Sequence, residues 1–304
     1  TLRMGHVLAP SHQFHRGMEL AAEKLAELTD GRVKLEIFPS SQLGTERDMQ
    51  VSIRTGGVDM LLASPGGASV HLPELAVLDA PYAFDDDAHW QAVVYGEIGK
   101  EWEKAIEDNA NVHIMGWFPR GTRHVATKGI ALSSIDDIKN VKIRVADIPP
   151  YPQVFKAFGA TPTPVAFAEM YSALQSGVVD GADIPLDTML AQKLYEVADH
   201  VNLIAWSFAA PGPILMSDSA YQQLSEEDRA ALREALKVGT DFITREFAES
   251  TDAVTEELKA KGMTFVELTD REAWQKAAAD ALPELAEIWG GDEELYVRIR
   301  DAKP

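Results

Sequence analysis

The sequence contains no cysteine among its 304 residues. Disulfide bonds, thiolate metal sites, cysteine nucleophiles and a lipid anchor on cysteine are therefore excluded for this chain. The absence is compatible with an oxidising compartment but does not require one. The chain begins at Thr1 with strand-like sequence and shows no secretory leader. Either no leader existed or it has been removed from the mature protein.

Basic residues are scarce as well. The chain has 28 Lys and Arg against 48 Asp and Glu, which gives a formal charge of −20. Such acidity argues against a nucleic-acid partner and repels anionic lipid. No run approaches the roughly 20 apolar residues of a membrane-spanning helix. With 46% apolar residues overall, the composition predicts about two folded domains without membrane insertion.

Catalytic signatures are also missing. The sequence has no G-x-G-x-x-G, no G-x-x-x-x-G-K-[ST], no G-x-S-x-G and no H-E-x-x-H. His12 and His15 have the spacing of two metal ligands, but no carboxylate set accompanies them, and ordinary histidines are the favoured interpretation. We therefore expect no catalytic residues, no metal and no cofactor.

The order of elements predicts an α/β fold. The first 63 residues alternate between strand and helix patterns and favour a mostly parallel sheet. A second α/β unit follows, with strands predicted at Val141 to Val145 and, after Gly177, at Val178 to Asp180. No low-complexity linker separates the units, so several crossing strands are expected between them.

A long helical pattern occupies the C-terminal third of the chain. It begins after Ser225, a typical N-cap residue, and continues to Gly262. One helix from Glu226 to Lys261 would be about 54 Å long, at about 1.5 Å per residue. The sequence leaves two alternatives: one helix that contacts both domains, or two helices broken near Gly239.

Two arginines lie in predicted strands. Arg144 alternates with apolar residues and shares a strand face with Lys142, and Arg123 lies in a second strand-like segment. Periodicity alone favours a solvent face for both side chains. The alternative is that they project into a cleft, where a guanidinium can bind a carboxylate through two hydrogen bonds.

Several ordered motifs resemble the substrate-binding proteins of tripartite ATP-independent periplasmic (TRAP) transporters, in their dicarboxylate and sugar-acid branch. The resemblance extends almost from end to end. It rests on FPSSQLGTER at residues 38–47, GVDM at 57–60, KIRV at 142–145, GATPTP at 159–164 and ALQSGVVDG at 173–181.

This resemblance implies a two-domain clamp that closes on a small organic anion, with a long helix spanning both domains. Residues 1–121 and 210–250 would form domain I, and residues 122–209 and 251–304 would form domain II. Arg144 matches the arginine that binds the ligand carboxylate in the family, Arg123 matches a second cationic contact, and Phe167 matches an aromatic residue that packs on the ligand. The implied location is the periplasm, and the implied partner is a TRAP membrane permease.

The sequence departs from the family pattern at two positions. Ile184 replaces an asparagine that often helps to hold the carboxylate, so that role is not transferred. Ser64 stands where some members have a ligand-binding glutamate, and can make only one short hydrogen bond. Position alone suggests further pocket residues, namely His12, Gln13, Asp147, Asp183 and Trp206.

The expected function is therefore capture of an organic acid for transport, without catalysis. A uronate or aldonate fits one main arginine together with hydroxyl-binding groups, whereas a C4-dicarboxylate fits two arginines. Ile184 keeps a partly apolar acid open as a ligand. A sugar-acid enzyme on a related α/β scaffold and a sensory module remain the alternatives from other functional classes.

Overall fold

The computed structural model describes residues 1–302, so residues 303–304 of the expected domain II lie outside the described part. The strands are β1 Leu2–Gly5, β2 Leu35–Phe38, β3 Met60–Leu62, β4 Val112–Phe118, β5 Arg123–Thr127, β6 Lys142–Val145, β7 Thr161–Pro164, β8 Gly181–Pro185, β9 His200–Ser207, β10 Gly212–Ser217 and β11 Thr264–Val266. The α-helices are α1 Gln13–Leu28, α2 Glu46–Ile53, α3 Pro65–Ala68, α4 Asp87–Val94, α5 Glu97–Ala110, α6 Tyr151–Ala157, α7 Met170–Ser176, α8 Leu186–Ala191, α9 Asp218–Gln222, α10 Glu226–Ala260, α11 Arg271–Asp280, α12 Leu282–Ala286 and α13 Glu293–Asp301.

The described strands form two sheets. The first has the order β2-β1-β3-β10-β4 and the second has the order β11-β9-β5-β8-β6-β7. We call each sheet with the helices packed on it the first and the second lobe. The chain passes between the sheets at residues 119–122 and again at residues 208–211, so more than one connection joins the lobes, but both are short connections between strands rather than the crossing strands expected.

The expectation of a mostly parallel first sheet is confirmed for the strands of the first 63 residues, since β1 pairs in parallel with both β2 and β3, but one strand in each sheet runs against its neighbours. Strand β10 runs antiparallel to β3 and β4, and β5 runs antiparallel to β8 and β9. The reason is the crossing of the chain. Strands β5 and β10 arrive from the other lobe and start at the edge that faces it, where their neighbours end. This edge gathers strand ends from both lobes, and the candidate site lies there.

The long helix is continuous. Ser225 caps α10 by accepting a hydrogen bond from the backbone N–H of Asp228 at 3.0 Å. Gly239 does not break the helix but lies where α10 crosses α1. A Cβ on Gly239 would be 2.4 Å from the carbonyl oxygen of Gly17. Because α10 also packs on α8, and its Leu258 belongs to the core of the second lobe, the prediction of one helix contacting both lobes is confirmed.

The predicted strand at Val178 to Asp180 is wrong. Gly177 ends α7 in the left-handed region with φ of 74°, and the strand that follows begins only at Gly181. The side chain of Val178 is 55% exposed. The N–H of Val179 bonds back to the carbonyl of Ala173, so Val178 and Val179 form a turn that closes the helix. Hydrogen bonds to the sheet begin at Asp180, whose N–H donates to the carbonyl of Lys142 at 2.8 Å.

Three buried histidines should make the fold sensitive to acid. Burial is the main cause that lowers the pKa of His6 to about 3 and the pKa values of His71 and His124 to about 4. The unfolded chain binds protons on these groups below about pH 6.5, whereas the folded protein does not. Stability is therefore complete above that pH and falls on acidification, by about 1.4 kcal/mol per pH unit for each histidine.

Urea unfolding at pH 7 and pH 5 measures this loss, which should reach about 5 kcal/mol for the three groups together. His124→Gln should reduce the difference between the two pH values by about a third. An unchanged difference in that variant would show that other groups cause the acid sensitivity.

Candidate ligand-binding site

The strand ends of the two lobes surround a cavity of about 170 Å³. The first lobe contributes residues that follow β3 and β4 and residues at the start of α1 and α2. The second lobe contributes the start of β5 and the ends of β6 and β8. The cavity is thus lined by residues distant in sequence. Four arginines line it: Arg47 is exposed at the rim, and Arg120, Arg123 and Arg144 lie further inside.

Arg144 is the buried cation of this cavity. Its side chain projects from β6, the residue is only 2% exposed, and its Nε donates to the carbonyl of Val165 at 3.0 Å. No carboxylate of residues 1–302 lies within 4.0 Å of its guanidinium. The interpretation that Arg144 shares a solvent face with Lys142 is wrong, because β6 runs from its exposed start at Lys142 into the interior between β7 and β8.

Burial lowers the pKa of Arg144 to about 10, and the nearby charge of Arg123 acts in the same direction. The group is still a cation at neutral pH. A buried charge without an opposite partner is unfavourable. The protein thus holds a positive charge where an anion from outside would remove an energetic cost.

Arg123 is paired within the protein. Its Nε and Nη2 donate to Oδ2 of Asp183 at 2.9 and 2.7 Å. The other carboxylate oxygen of Asp183 accepts a hydrogen bond from Nε1 of Trp206 at 2.9 Å. Asp183 and Trp206 do not line the cavity but lie behind Arg123. They fix the direction of a guanidinium that does line it.

Arg120 is a cavity residue that the sequence interpretation missed. Its Nη1 donates to Oδ1 of Asp79 at 3.2 Å and to the hydroxyl of Tyr151 at 2.9 Å. Asp79 is fully buried and also accepts from the hydroxyl of Tyr151 and the N–H of Gly66. Burial raises the pKa of Asp79, and the charge of Arg120 counteracts this. The spacing of Arg120 and Arg123, three residues apart around Gly121, is the signal that could have identified it.

A carboxylate, Glu46, faces the cavity from the first turn of α2 and was also missed. Its Oε1 accepts hydrogen bonds from both the N–H and the Oγ of Ser64, each at 2.6 Å. Ser64, predicted as a ligand-binding residue, lines the cavity but uses its hydroxyl to hold Glu46. The acidic residue directly after the N-cap Thr45 could have indicated this position.

Aromatic and aliphatic side chains form the remaining wall. Phe167 lines the cavity at the start of the turn that follows β7, as the resemblance implied for its position. Phe14 and Phe118 come from the first lobe and pack edge to face with ring centres 4.9 Å apart. Ile184 also lines the cavity, so its side chain presents an apolar surface there.

The other predicted residues lie at the border of the cavity or outside it. Asp147 lines the rim, where it is exposed and paired with Arg47 at 3.3 Å. His12 and Gln13 do not line the cavity. Both side chains instead contact Asp187 of α8, at 2.6 and 2.9 Å. They join α1 to α8 beside the site.

A metal site at His12 and His15 finds no support in the structure. Nδ1 of His15 lies 3.1 Å from Nε2 of His6. The described residues contain no group of three potential metal ligands. Within the same part of the chain, no helix is long and apolar enough to cross a bilayer.

Comparison with known proteins identifies a family and several relatives with similar sequences. Residues 4–287 match the model of bacterial extracellular solute-binding protein, family 7. A solute-binding protein of Roseobacter denitrificans is 34% identical over 288 residues, covering 93% of this chain and 86% of the relative. The C4-dicarboxylate-binding periplasmic protein DctP of Rhodobacter capsulatus is 28% identical, covering 99% of this chain and 91% of the relative.

Solved structures of similar proteins agree with this family match. A TRAP periplasmic solute-binding protein from a Polaromonas species, bound to D-erythronate, superposes with a TM-score of 0.93 at 28% identity, covering 100% of this chain and 99% of that one. The Roseobacter denitrificans protein with bound L-galactonate gives a TM-score of 0.90 at 33% identity, covering 97% and 98%. This chain therefore belongs to family 7 of the bacterial extracellular solute-binding proteins and has the two-lobed fold of the TRAP periplasmic members.

Proposed function

We propose that this protein captures a small organic acid in the cavity between its lobes and delivers it, in the periplasm, to a TRAP membrane permease. The observation that carries the proposal is the buried guanidinium of Arg144, which has no carboxylate partner among residues 1–302. A ligand carboxylate would supply the missing charge and accept two parallel hydrogen bonds. The other lining residues support the same assignment.

Each predicted contact then has a defined role. Arg144 binds the carboxylate, and Arg123, held by Asp183, adds a second cationic contact. Phe167, with Phe14 and Phe118, packs on the carbon skeleton of the acid. Binding and release involve no bond made or broken, so this role needs no catalytic group.

Closure of the two lobes would enclose the acid. Residues 1–121 with 210–250 would move as one body, and residues 122–209 with most of 251–304 as the other. The lobes touch in this structure, since Tyr151 of the second lobe donates to Asp79 of the first at 2.8 Å. Helix α13 also contacts the first lobe, where Arg298 pairs with Glu101. Expulsion of water on closure strengthens the interaction between the ligand and Arg144.

Thermal unfolding with a panel of acids tests this proposal. Four acids are added to the protein at millimolar concentration, namely D-erythronate, L-galactonate, D-galacturonate and succinate. D-galactose serves as the uncharged control for D-galacturonate. A ligand at about 100 times its Kd adds about 2.7 kcal/mol of stability, so at least one acid should raise the Tm by several degrees while galactose does not. The proposal fails if no acid raises the Tm, or if D-galactose raises the Tm as much as D-galacturonate does.

A further inference from the structure

The three arginines inside the cavity, beyond the rim residue Arg47, have unequal capacity for a ligand anion. Arg120 is already paired with Asp79, and Arg123 is already paired with Asp183. Arg144 alone of the three makes no ion pair within residues 1–302. The cavity therefore offers one unpaired guanidinium, which is enough for one carboxylate group.

The carboxylate of Glu46 lies in the same cavity but not in contact with that cation. Glu46 and Arg144 both line this cavity, Glu46 from the first lobe and Arg144 from the second. They are nevertheless more than 4.0 Å apart, because no ion pair joins them. A bound acid can thus extend from Arg144 towards Glu46.

Glu46 is held in place with acceptor capacity left over. Ser64 donates twice to Oε1, and no hydrogen bond to Oε2 is present in the described part of the chain. An ionised carboxylate only accepts hydrogen bonds. A hydroxyl group on the ligand can donate to Oε2, whereas a second ligand carboxylate cannot and would be repelled.

We infer that Glu46 is a specificity-determining residue, which selects hydroxylated monocarboxylates and rejects C4-dicarboxylates. This inference rests on the proposed function. It assigns the carboxylate end of the ligand to Arg144 and a hydroxyl-bearing carbon to Glu46. The exposed pair of Arg47 and Asp147 at the rim adds no unpaired cation that could receive a second carboxylate.

Calorimetric titration of two acids with four carbons isolates this effect. D-erythronate and succinate have the same chain length, but C4 of erythronate carries a hydroxyl group where C4 of succinate is its second carboxylate. Erythronate also carries hydroxyl groups on C2 and C3, where succinate has none. The wild-type protein should bind erythronate at least 10-fold more tightly than succinate. In Glu46→Gln this ratio should fall at least 10-fold, mainly through tighter binding of succinate, because an amide removes the repulsion and supplies N–H donors.

Glu97→Gln is the matched control, since Glu97 is an exposed residue in the first turn of α5 and lies far from the cavity. It should leave the ratio unchanged. The inference is overturned if Glu46→Gln keeps the wild-type ratio or if the wild type prefers succinate. A third four-carbon acid, 4-aminobutyrate, carries an ammonium group at its far end. Tighter binding of 4-aminobutyrate than of erythronate would also overturn the inference, because Glu46 would then select a cation rather than a hydroxyl group. If no acid binds the wild-type protein, the proposed function itself fails. An unchanged ratio with binding that still depends on Arg144 refutes only the role of Glu46.

Discussion

Arg144→Ala should weaken binding of the preferred acid by about 2 to 4 kcal/mol, which is about 30- to 1,000-fold in Kd. The substitution leaves the ligand carboxylate buried without its cation. Arg144→Lys should also bind poorly, because an ammonium group replaces a planar fork with a point charge. Isothermal titration calorimetry on the purified variants measures both effects.

The same substitution should have the opposite effect on the protein without ligand. Removing a buried cation that has no carboxylate partner in the described part of the chain relieves a desolvation cost, so unliganded Arg144→Ala should unfold at the wild-type urea concentration or above it. Lys142→Ala, at the exposed start of the same strand, is the control and should change neither quantity. Affinity close to that of the wild type in Arg144→Ala would remove this residue from the site.

Gly66→Ala should weaken binding by about 1 to 3 kcal/mol, or about 5- to 150-fold in Kd. Gly66 belongs to the first lobe, and a Cβ there would lie 1.7 Å from the carbonyl oxygen of Pro149 in the second lobe. Backbone atoms cannot move aside as a flexible side chain can. The lobes of the variant would therefore have to stay apart, and the closed, liganded state would be less favourable.

Two measurements separate a defect in closure from a defect in folding. Without ligand the lobes can separate and avoid the clash, so the variant should lose less free energy of unfolding in urea than it loses in binding free energy. Gly116→Ala is the matched control, since its Cβ would meet only Ile214 at an ordinary 3.7 Å, and it should bind normally. If Gly66→Ala binds as tightly as the wild type, the contact between Gly66 and Pro149 is not required for the bound state.

Local patterns were sufficient for much of the fold. The cap at Ser225 and the stop at Gly262 predicted both ends of the long helical segment, but local patterns left open a break near Gly239. The structure decides this point, because Gly239 lies where α10 crosses Gly17 of α1. The direction of β5 and β10 was not predictable in this way. Strand direction depends on which lobe the chain comes from, and that information is not contained in a local alternation of residues.

The residues of the candidate site also fall into those that the sequence indicated and those that only the structure revealed. Ordered motifs indicated Arg144, Arg123 and Phe167, and the structure brings all three to one cavity. Arg120 and Glu46 were missed because their local signals, the spacing to Arg123 and the position after the N-cap Thr45, do not show that either side chain reaches the cavity. Their importance comes from neighbours distant in sequence, Asp79 for the first and Ser64 for the second.

The amino-acid sequence by itself determined the α/β class, the family resemblance and the candidate arginines, because these follow from short-range periodicity, caps and ordered motifs. Only the tertiary structure decided that Arg144 is buried without a carboxylate partner among residues 1–302, while Arg120 and Arg123 are paired. The physical reason is that charge balance in a buried cavity depends on distances between groups, and those distances are set when strands from two lobes are brought together.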